Sequence, residues 1–343
     1  MPVVRRLTAA KRPRNSVREI PTTTLYLTEP VTPLLGEFGL DAIERIALNV
    51  YRMGDVVVIS RYASMDDLAV ALRCRPKRLC YIIDDDIEAA CSDTLLPPLY
   101  RESLVAFYRG SYRSILAAST DIVLSSPALL RYYRDLLPGV RYHLIDPVWP
   151  DAKRSPLGGL GAKQRSCRIA YLGAKTHYHD YQLIAPILSR LLREHGNVRL
   201  VSTIATKELC EQSFRNLKVV GQTGWERYLN WVLKQRFDIG LYPLRDTKFN
   251  RSRSVNKLYE YRLTGAMCLL SRNEAFETLD WEARDRCRFM VGPSPSDWYH
   301  KLKTLIDSPQ RCAAETRHFC RALDQRNPRA RAQSTWRAIL AGE

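Results

Sequence analysis

Short, continuous apolar runs alternate with longer amphipathic stretches along most of the chain. Residues 55–60, DVVVIS, are β-branched without alternation, as expected of a parallel strand covered on both faces. Similar runs predict strands at 79–83, 121–124 and 142–145, with 24–27 an earlier candidate. Between them, 41–51 sets Ile43, Ile46, Ala47 and Val50 on one helical face. Residues 65–72 and 104–118 also read as helices, and 127–136 as a helix with proline in its first turn.

The pattern breaks where Pro147, Pro150, Pro156, Gly158, Gly159 and Gly161 crowd together, which marks a linker over 147–166. Strand and helix signals then resume. Strands are expected at 168–172, 198–202, 217–220, 237–242 and 267–271. Helices are expected at 180–194, 225–234, 255–263, 298–305 and 311–323, with Gly265 as a left-handed cap after 263. The expected organisation is a basic, disordered arm (1–20), a first α/β domain (21–146), the linker, a second α/β domain (167–325) and a basic tail or helix (326–343). Two doubly wound, Rossmann-like sheets facing across a cleft would place the chemistry on loops leaving the carboxyl ends of their strands.

Composition narrows the partners. No apolar run approaches the roughly 20 residues that span a bilayer. The N-terminal Arg and Lys residues lack the apolar core of a signal peptide, so a cytoplasmic protein is expected. Nine cysteines without a CxxC pair read as small hydrophobes in a reducing compartment. The net charge of +17 attracts polyanions. It concentrates in Arg5, Arg6, Lys11, Arg12, Arg14 and Arg18 and in an arginine-rich stretch at 317–337. That excess reads either as solvated surface or as attachment to an anionic membrane, at about 1 kcal/mol per basic residue near the surface. No RNP, helix-turn-helix or zinc-finger signature points to specific nucleic-acid binding.

Three segments carry candidate chemistry. In FDIGLYPLRDTKFNRSRSVNKLYEYRLTGAMCLLS (237–271) a buried strand leads into a loop holding Arg245, Lys248, Arg251 and Arg253. A helix follows, with Ser254 as its expected cap and a first turn suited to phosphate. Lys257 and Glu260 lie three apart and share a helix face. They can neutralise a diphosphate and accept from ribose hydroxyls, or form a plain solvated ion pair. In IAYLGAKTHYHDYQLIAPIL (169–188) Gly173 allows close backbone approach to phosphate, Thr176 and His177 can donate, and Asp180 can cap the helix. In YIIDDDIEAACSD (81–93) Asp84, Asp85 and Asp86 end a buried strand. They read as a helix cap with an interdomain salt bridge, as an acceptor-side group with one general base, or, for Asp84 and Asp86, as a metal-chelating pair.

The 237–271 segment resembles the donor region of GT-B glycosyltransferases of the family 1 and family 4 type. It carries their strand ending (Asp238, Ile239, Gly240, Pro243, Leu244) and their K-x-x-E-Y helix before a glycine (Lys257, Glu260, Tyr261, Gly265). Gly173, Thr176, His177 and Asp180 resemble the G-x-x-T-H-x-x-D stretch of a subset of these enzymes, and the three aspartates resemble a D-D-D element of their first domain. The resemblance implies a GT-B fold and a nucleotide-sugar donor held by Gly173, Thr176, His177, Arg251, Ser254, Lys257 and Glu260. It also implies a saccharide or glycolipid acceptor near Asp84, Asp85 and Asp86, no divalent metal or other cofactor, and a setting in bacterial surface polysaccharide synthesis. Many retaining members carry a second glutamate eight positions before the ribose-binding one. Ser252 stands there, so a retaining outcome is not carried over. The rival classes are a metal-dependent GT-A-like transferase and a non-catalytic protein that binds polyanions or lipid.

Overall fold

The computed structural model describes residues 5–7, 20–151, 166–277 and 281–343. The first sheet contains β1 (Arg5–Leu7), β2 (Ile43–Ala47), β3 (Val50–Met53), β4 (Val56–Ser60), β5 (Arg78–Ile83), β6 (Asp121–Leu124) and β7 (Arg141–Leu144), in that spatial order. Strands β1 to β4 pair antiparallel and β4 to β7 parallel. The second sheet contains β8 (Cys167–Tyr171), β9 (Val198–Ser202), β10 (Leu217–Val219), β11 (Ile239–Tyr242), β12 (Met267–Ser271) and β13 (Met290–Val291). It is wholly parallel, in the order β10-β9-β8-β11-β12-β13. Strands β4, β5, β6, β11 and β12 are buried along their whole length, which is why they read as continuous apolar runs.

The expected two-sheet α/β architecture is therefore present, with local corrections in the first domain. The candidate strand at 24–27 is helical, inside a run of helical turns from Pro21 to Phe38 that Gly39 ends at φ +62°. Pro21 in the first turn and packing of Leu25 and Leu27 into the core override the β-branched signal. The expected helix at 41–51 is the β2–β3 hairpin. Asn49 takes φ +56° in its two-residue turn, a conformation asparagine tolerates. Within the basic arm, Arg5–Leu7 pairs antiparallel with β2, and residues 1–4 and 8–19 lie outside the described residues, as do 152–165 of the linker.

The basic tail is a helix, Pro328–Ala341, that crosses back onto the first domain. Trp336 is fully buried there and its indole donates to the Tyr26 carbonyl at 2.8 Å. At the far end of the first sheet Arg78 Nη1 donates to the carbonyls of Ile339 (3.0 Å) and Glu343 (2.8 Å), while its Nε donates to Asp121 at 3.0 Å. Asp121 is 0% exposed and also accepts from His143 (2.8 Å), Arg141 (3.0 and 3.2 Å) and Thr120 (2.7 Å). Burial alone would raise its carboxyl; the hydrogen bonds from His143, Arg78 and Arg141 overcome that and hold it well below the usual range.

A carboxylate depressed in this way stabilises the fold fully above its unfolded value of about 3.9, and that stability is lost as pH falls toward its folded value. Asp121→Asn should cost about 3–5 kcal/mol at neutral pH by stranding buried arginine charge. Denaturant titration of both proteins at pH 7 and pH 3 checks this: the gap between them should narrow at pH 3.

Candidate functional site at the strand-order reversal

In the second sheet the order reverses between β8 and β11, and the loops leaving these two strands hold the residues of interest. After β8, Gly173 donates its N–H to Thr203 Oγ1 at 2.8 Å. A Cβ there would lie 2.8 Å from the Tyr171 ring, so the backbone passes where no larger residue fits without a shift. Thr176 and His177 follow in a single turn, Lys175–His177. Thr176 borders a small crevice between the domains together with Leu95, Leu96, Asp180 and Asn250. His177 is buried, with Nδ1 3.0 Å from Asp180. Burial, followed by the nearby charge of Arg253, holds its imidazole below the ordinary value against the pull of Asp180.

Asp180 departs from its expected capping role. Its helix starts at Tyr178, and its carboxylate instead takes the backbone N–H of Arg245 (2.9 Å) and the amide of Asn250 (3.0 Å). It thereby ties the β11 loop to the β8 loop. In that loop Thr247 caps the short turn Lys248–Arg251, which sends Phe249 and Asn250 inward and Arg251 outward. Arg251 is exposed and paired bidentately with Asp246 (2.7 and 2.8 Å), so it lies apart from the cradle it was expected to form. The inward cation is Arg253: its side chain is 12% exposed, packs over Phe249 and donates to Asn250 at 3.3 Å. Ser254 does not cap the next helix. Asn256–Leu263 begins with Val255 at the cap, and Ser254 Oγ accepts from Asn256 N at 3.4 Å.

Lys257 and Glu260 project together. Glu260 is 1% exposed, pairs through Oε2 with the Lys257 ammonium and through Oε1 with the Tyr228 hydroxyl. The next residue, Tyr261, is fully buried. Its hydroxyl accepts from Leu172 N (2.9 Å) and donates to Leu241 O (2.8 Å), bridging the ends of β8 and β11. Ser252 is buried, and its carbonyl accepts from Ser126 of the first domain at 2.7 Å.

From the first domain, Asp84, Asp85 and Asp86 arrive at the end of β5 and then diverge. Asp86 caps the helix Ile87–Ser92 by accepting from Ala89 N at 2.9 Å. Asp84 Oδ2 accepts from Thr22 (2.5 Å) and Arg61 (3.3 Å), whereas its buried Oδ1 has no hydrogen-bond partner among the described residues. Asp85 is clasped by Arg61 on one oxygen and by Arg253 on the other, at 2.8 Å. Burial raises the carboxyls of Asp84 and Asp86; for Asp84, Arg61 opposes this and Asp85 adds to it. Sequence reasoning did not select Arg61, Arg253 or Tyr228. Arg61 directly follows the DVVVIS strand, the place where such sheets position site residues, and it sits at φ +62°.

The fold is that of the GT-B glycosyltransferases. No family model matches the chain, and no curated protein matches it in sequence. Among solved structures, WaaG, a glycosyltransferase involved in lipopolysaccharide biosynthesis, superposes with a TM-score of 0.57 at 14% identity, covering 81% of this chain and 82% of WaaG. TarM gives 0.57 at 7% identity and covers 83% of this chain, which spans about half of TarM (54%). Anabaena HepE, solved with UDP, gives 0.52 at 13% identity, covering 80% of this chain and 75% of HepE. At these identities the likeness establishes the fold. A GT-A fold is thereby replaced; the carboxylates of Asp84 and Asp86 face an arginine and a helix N-terminus respectively.

Tyr261 can bridge β8 and β11 only because residue 240 lacks a side chain: a Cβ at Gly240 would lie 2.2 Å from its ring. Gly240→Ala should therefore displace the ring and cost about 1–3 kcal/mol by overpacking. Equilibrium denaturation measures this, and a loss below that range would mean the ring yields easily.

Proposed function

We propose that the protein is a glycosyltransferase that moves a sugar from a nucleotide-sugar donor to a saccharide or glycolipid acceptor. The observation that carries this reading is the joint projection of Lys257 and Glu260 beside the β8 loop, at the strand-order reversal of a GT-B second domain. The donor's diphosphate would lie between the N–H groups and hydroxyl of the Gly173 and Thr176 turn and the Lys257 ammonium. The ribose hydroxyls would donate to Glu260 in place of Tyr228 and Lys257. Positive charge beside the diphosphate stabilises the leaving nucleoside diphosphate as the glycosidic bond breaks. Lys257 supplies that charge in this scheme, with no divalent metal. His177, kept neutral by burial, would orient the turn through Asp180.

The acceptor would approach from the first domain. Asp84 is the candidate base: its carboxyl is raised by burial, and one oxygen has no partner among the described residues. Domain closure would exclude water and limit donor hydrolysis. A glycolipid acceptor and the charge of +17 together favour work at an anionic bilayer on the cytoplasmic side, in bacterial surface polysaccharide synthesis. Among the described residues no helix is long and apolar enough to cross a membrane, so attachment would be peripheral.

Thermal unfolding against a nucleotide-sugar panel should reveal at least one donor that raises the melting temperature. Lys257→Ala and Glu260→Ala should each weaken its affinity about tenfold, the equivalent of about 1.4 kcal/mol. Unchanged affinity in both variants rejects the donor site, and strongly salt-dependent polyanion binding without any donor would favour the non-catalytic reading. In a transfer assay containing EDTA, Asp84→Asn should lower turnover by about 100-fold or more. Near-normal turnover in Asp84→Asn, Asp85→Asn and Asp86→Asn alike removes the carboxylate base. Co-sedimentation should show the protein pelleting with phosphatidylglycerol vesicles and not with phosphatidylcholine vesicles, in a salt-sensitive manner.

A further inference from the structure

We propose that Arg253 binds the donor's diphosphate, and that Asp85, reaching over from the first domain, occupies this guanidinium as a stand-in anion until the donor displaces it. The inference rests on the donor site proposed above and adds to it one ligand and one competitor. It assigns Arg253 the role that Arg251, turned to solvent on Asp246, does not fill.

Three observations converge. Arg253 stands close to the proposed diphosphate site: it bonds Asn250, which bonds Asp180, which holds His177 of the β8 turn, and its charge, like that of Lys257, acts on the His177 imidazole. Its guanidinium is held in place before any ligand arrives, packed over Phe249 and bonded to Asn250, which Asp180 in turn fixes. The carboxylate it meets belongs to the opposite domain.

The exchange is physically reasonable because Asp85 has a second cation. Arg61, on its own domain, holds the other carboxylate oxygen, so departure of Arg253 leaves Asp85 paired. Arg253 itself is largely desolvated and cannot be left without an anion at little cost. A carboxylate offers one negative charge, whereas a diphosphate offers more charge and further acceptor oxygens, so it wins the guanidinium. Displacement also breaks an ion pair between the domains. Ser126 to the Ser252 carbonyl, Trp225 to Thr24 and Trp149 to Asn256 remain to hold them together. Donor entry thus exchanges this one interdomain ion pair while the domains stay joined through the others.

Calorimetric titration with inorganic pyrophosphate, and with UDP and GDP, separates the possibilities. Arg253→Gln should weaken binding at least tenfold, with Arg253→Lys in between. Asp85→Asn removes the competitor and should tighten binding at least threefold. Arg61→Gln leaves Asp85 dependent on Arg253 and should weaken binding, so the two first-domain variants move in opposite directions. A purely structural clasp would move them the same way. Unchanged affinity in Arg253→Gln, or affinity in Asp85→Asn no tighter than wild type, overturns the proposal. Circular dichroism melts establish that each variant folds; if Asp85→Asn does not, the Arg253 and Arg61 variants decide alone. Lys257→Ala reads the donor site independently. Its loss of affinity beside an unaffected Arg253→Gln rejects the clasp and keeps the donor site, and a wild type that binds neither pyrophosphate nor nucleotide rejects both.

Discussion

The arrangement of the candidate site follows from the reversal of strand order between β8 and β11. Crossovers run to opposite sides of these two strands, so a crevice opens at their carboxyl ends and the two departing loops lie side by side. Loops there carry backbone groups that need partners. Asp180 meets this demand by taking the Arg245 N–H and the Asn250 amide while holding His177, and Tyr261 meets it by bridging Leu172 and Leu241. One carboxylate and one phenol thus set the separation of the turn at Gly173 from the helix that bears Lys257 and Glu260. The glycines at 173 and 240 serve the same end, because each clears space that an aromatic ring fills.

Second-domain architecture was readable in the sequence because its strands are short and its central strands, β11 and β12, are apolar and buried along their whole length. Such strands give contiguous apolar runs bounded by polar loops, and every expected strand of that domain is present within a residue or two. The first domain was less legible at its start. Ile43, Ile46, Ala47 and Val50 mimic a helical face, yet a left-handed Asn49 turns that stretch into a hairpin. A single residue in the left-handed region outweighed four apolar positions, and periodicity carries no signal for it. The turns from Pro21 onward were obscured because the run from Thr24 to Leu27 reads as a short apolar strand, whereas in the fold Leu25 and Leu27 pack into the core and Thr24 accepts from Trp225 of the second domain.

Site residues divide along the same line. Lys257 and Glu260 were accessible to sequence reasoning because their pairing is local to one helix turn. Arg251 and Arg253 were indistinguishable, since direction depends on the cap at Thr247 and on which face of a four-residue turn meets Asp180. Asp85 and Arg253 are 168 residues apart, and their contact exists only once the two sheets face each other. Net charge carries no signal for such local pairing: within an overall +17 the cleft collects three aspartates from one strand end and matches two of them to half-buried arginines.

The chain passes between the domains twice, and both passages bear on how the clasp can open. The first leaves β7, and Val148 donates to the Leu25 carbonyl at 2.9 Å. The second turns at Asn327, at φ +44°, into the helix whose Trp336 is buried in the first domain. Asp146 lies between them, 3.6 Å from both Arg326 and Arg331, so one carboxylate ties the two passages together. Asp146 thus joins the start of one crossing to the start of the other, through residues distinct from the Asp85–Arg253 pair. The ion pair of Asp85 with Arg253 sits at the strand ends that face each other across the cleft. Neither the Asp146 contacts nor the Arg78 contacts with the last helix involve Asp85 or Arg253, so loss of that ion pair would leave both in place. The Ser126 bond to the Ser252 carbonyl lies one residue from Arg253, so an exchange of anions there would leave the domains joined beside it.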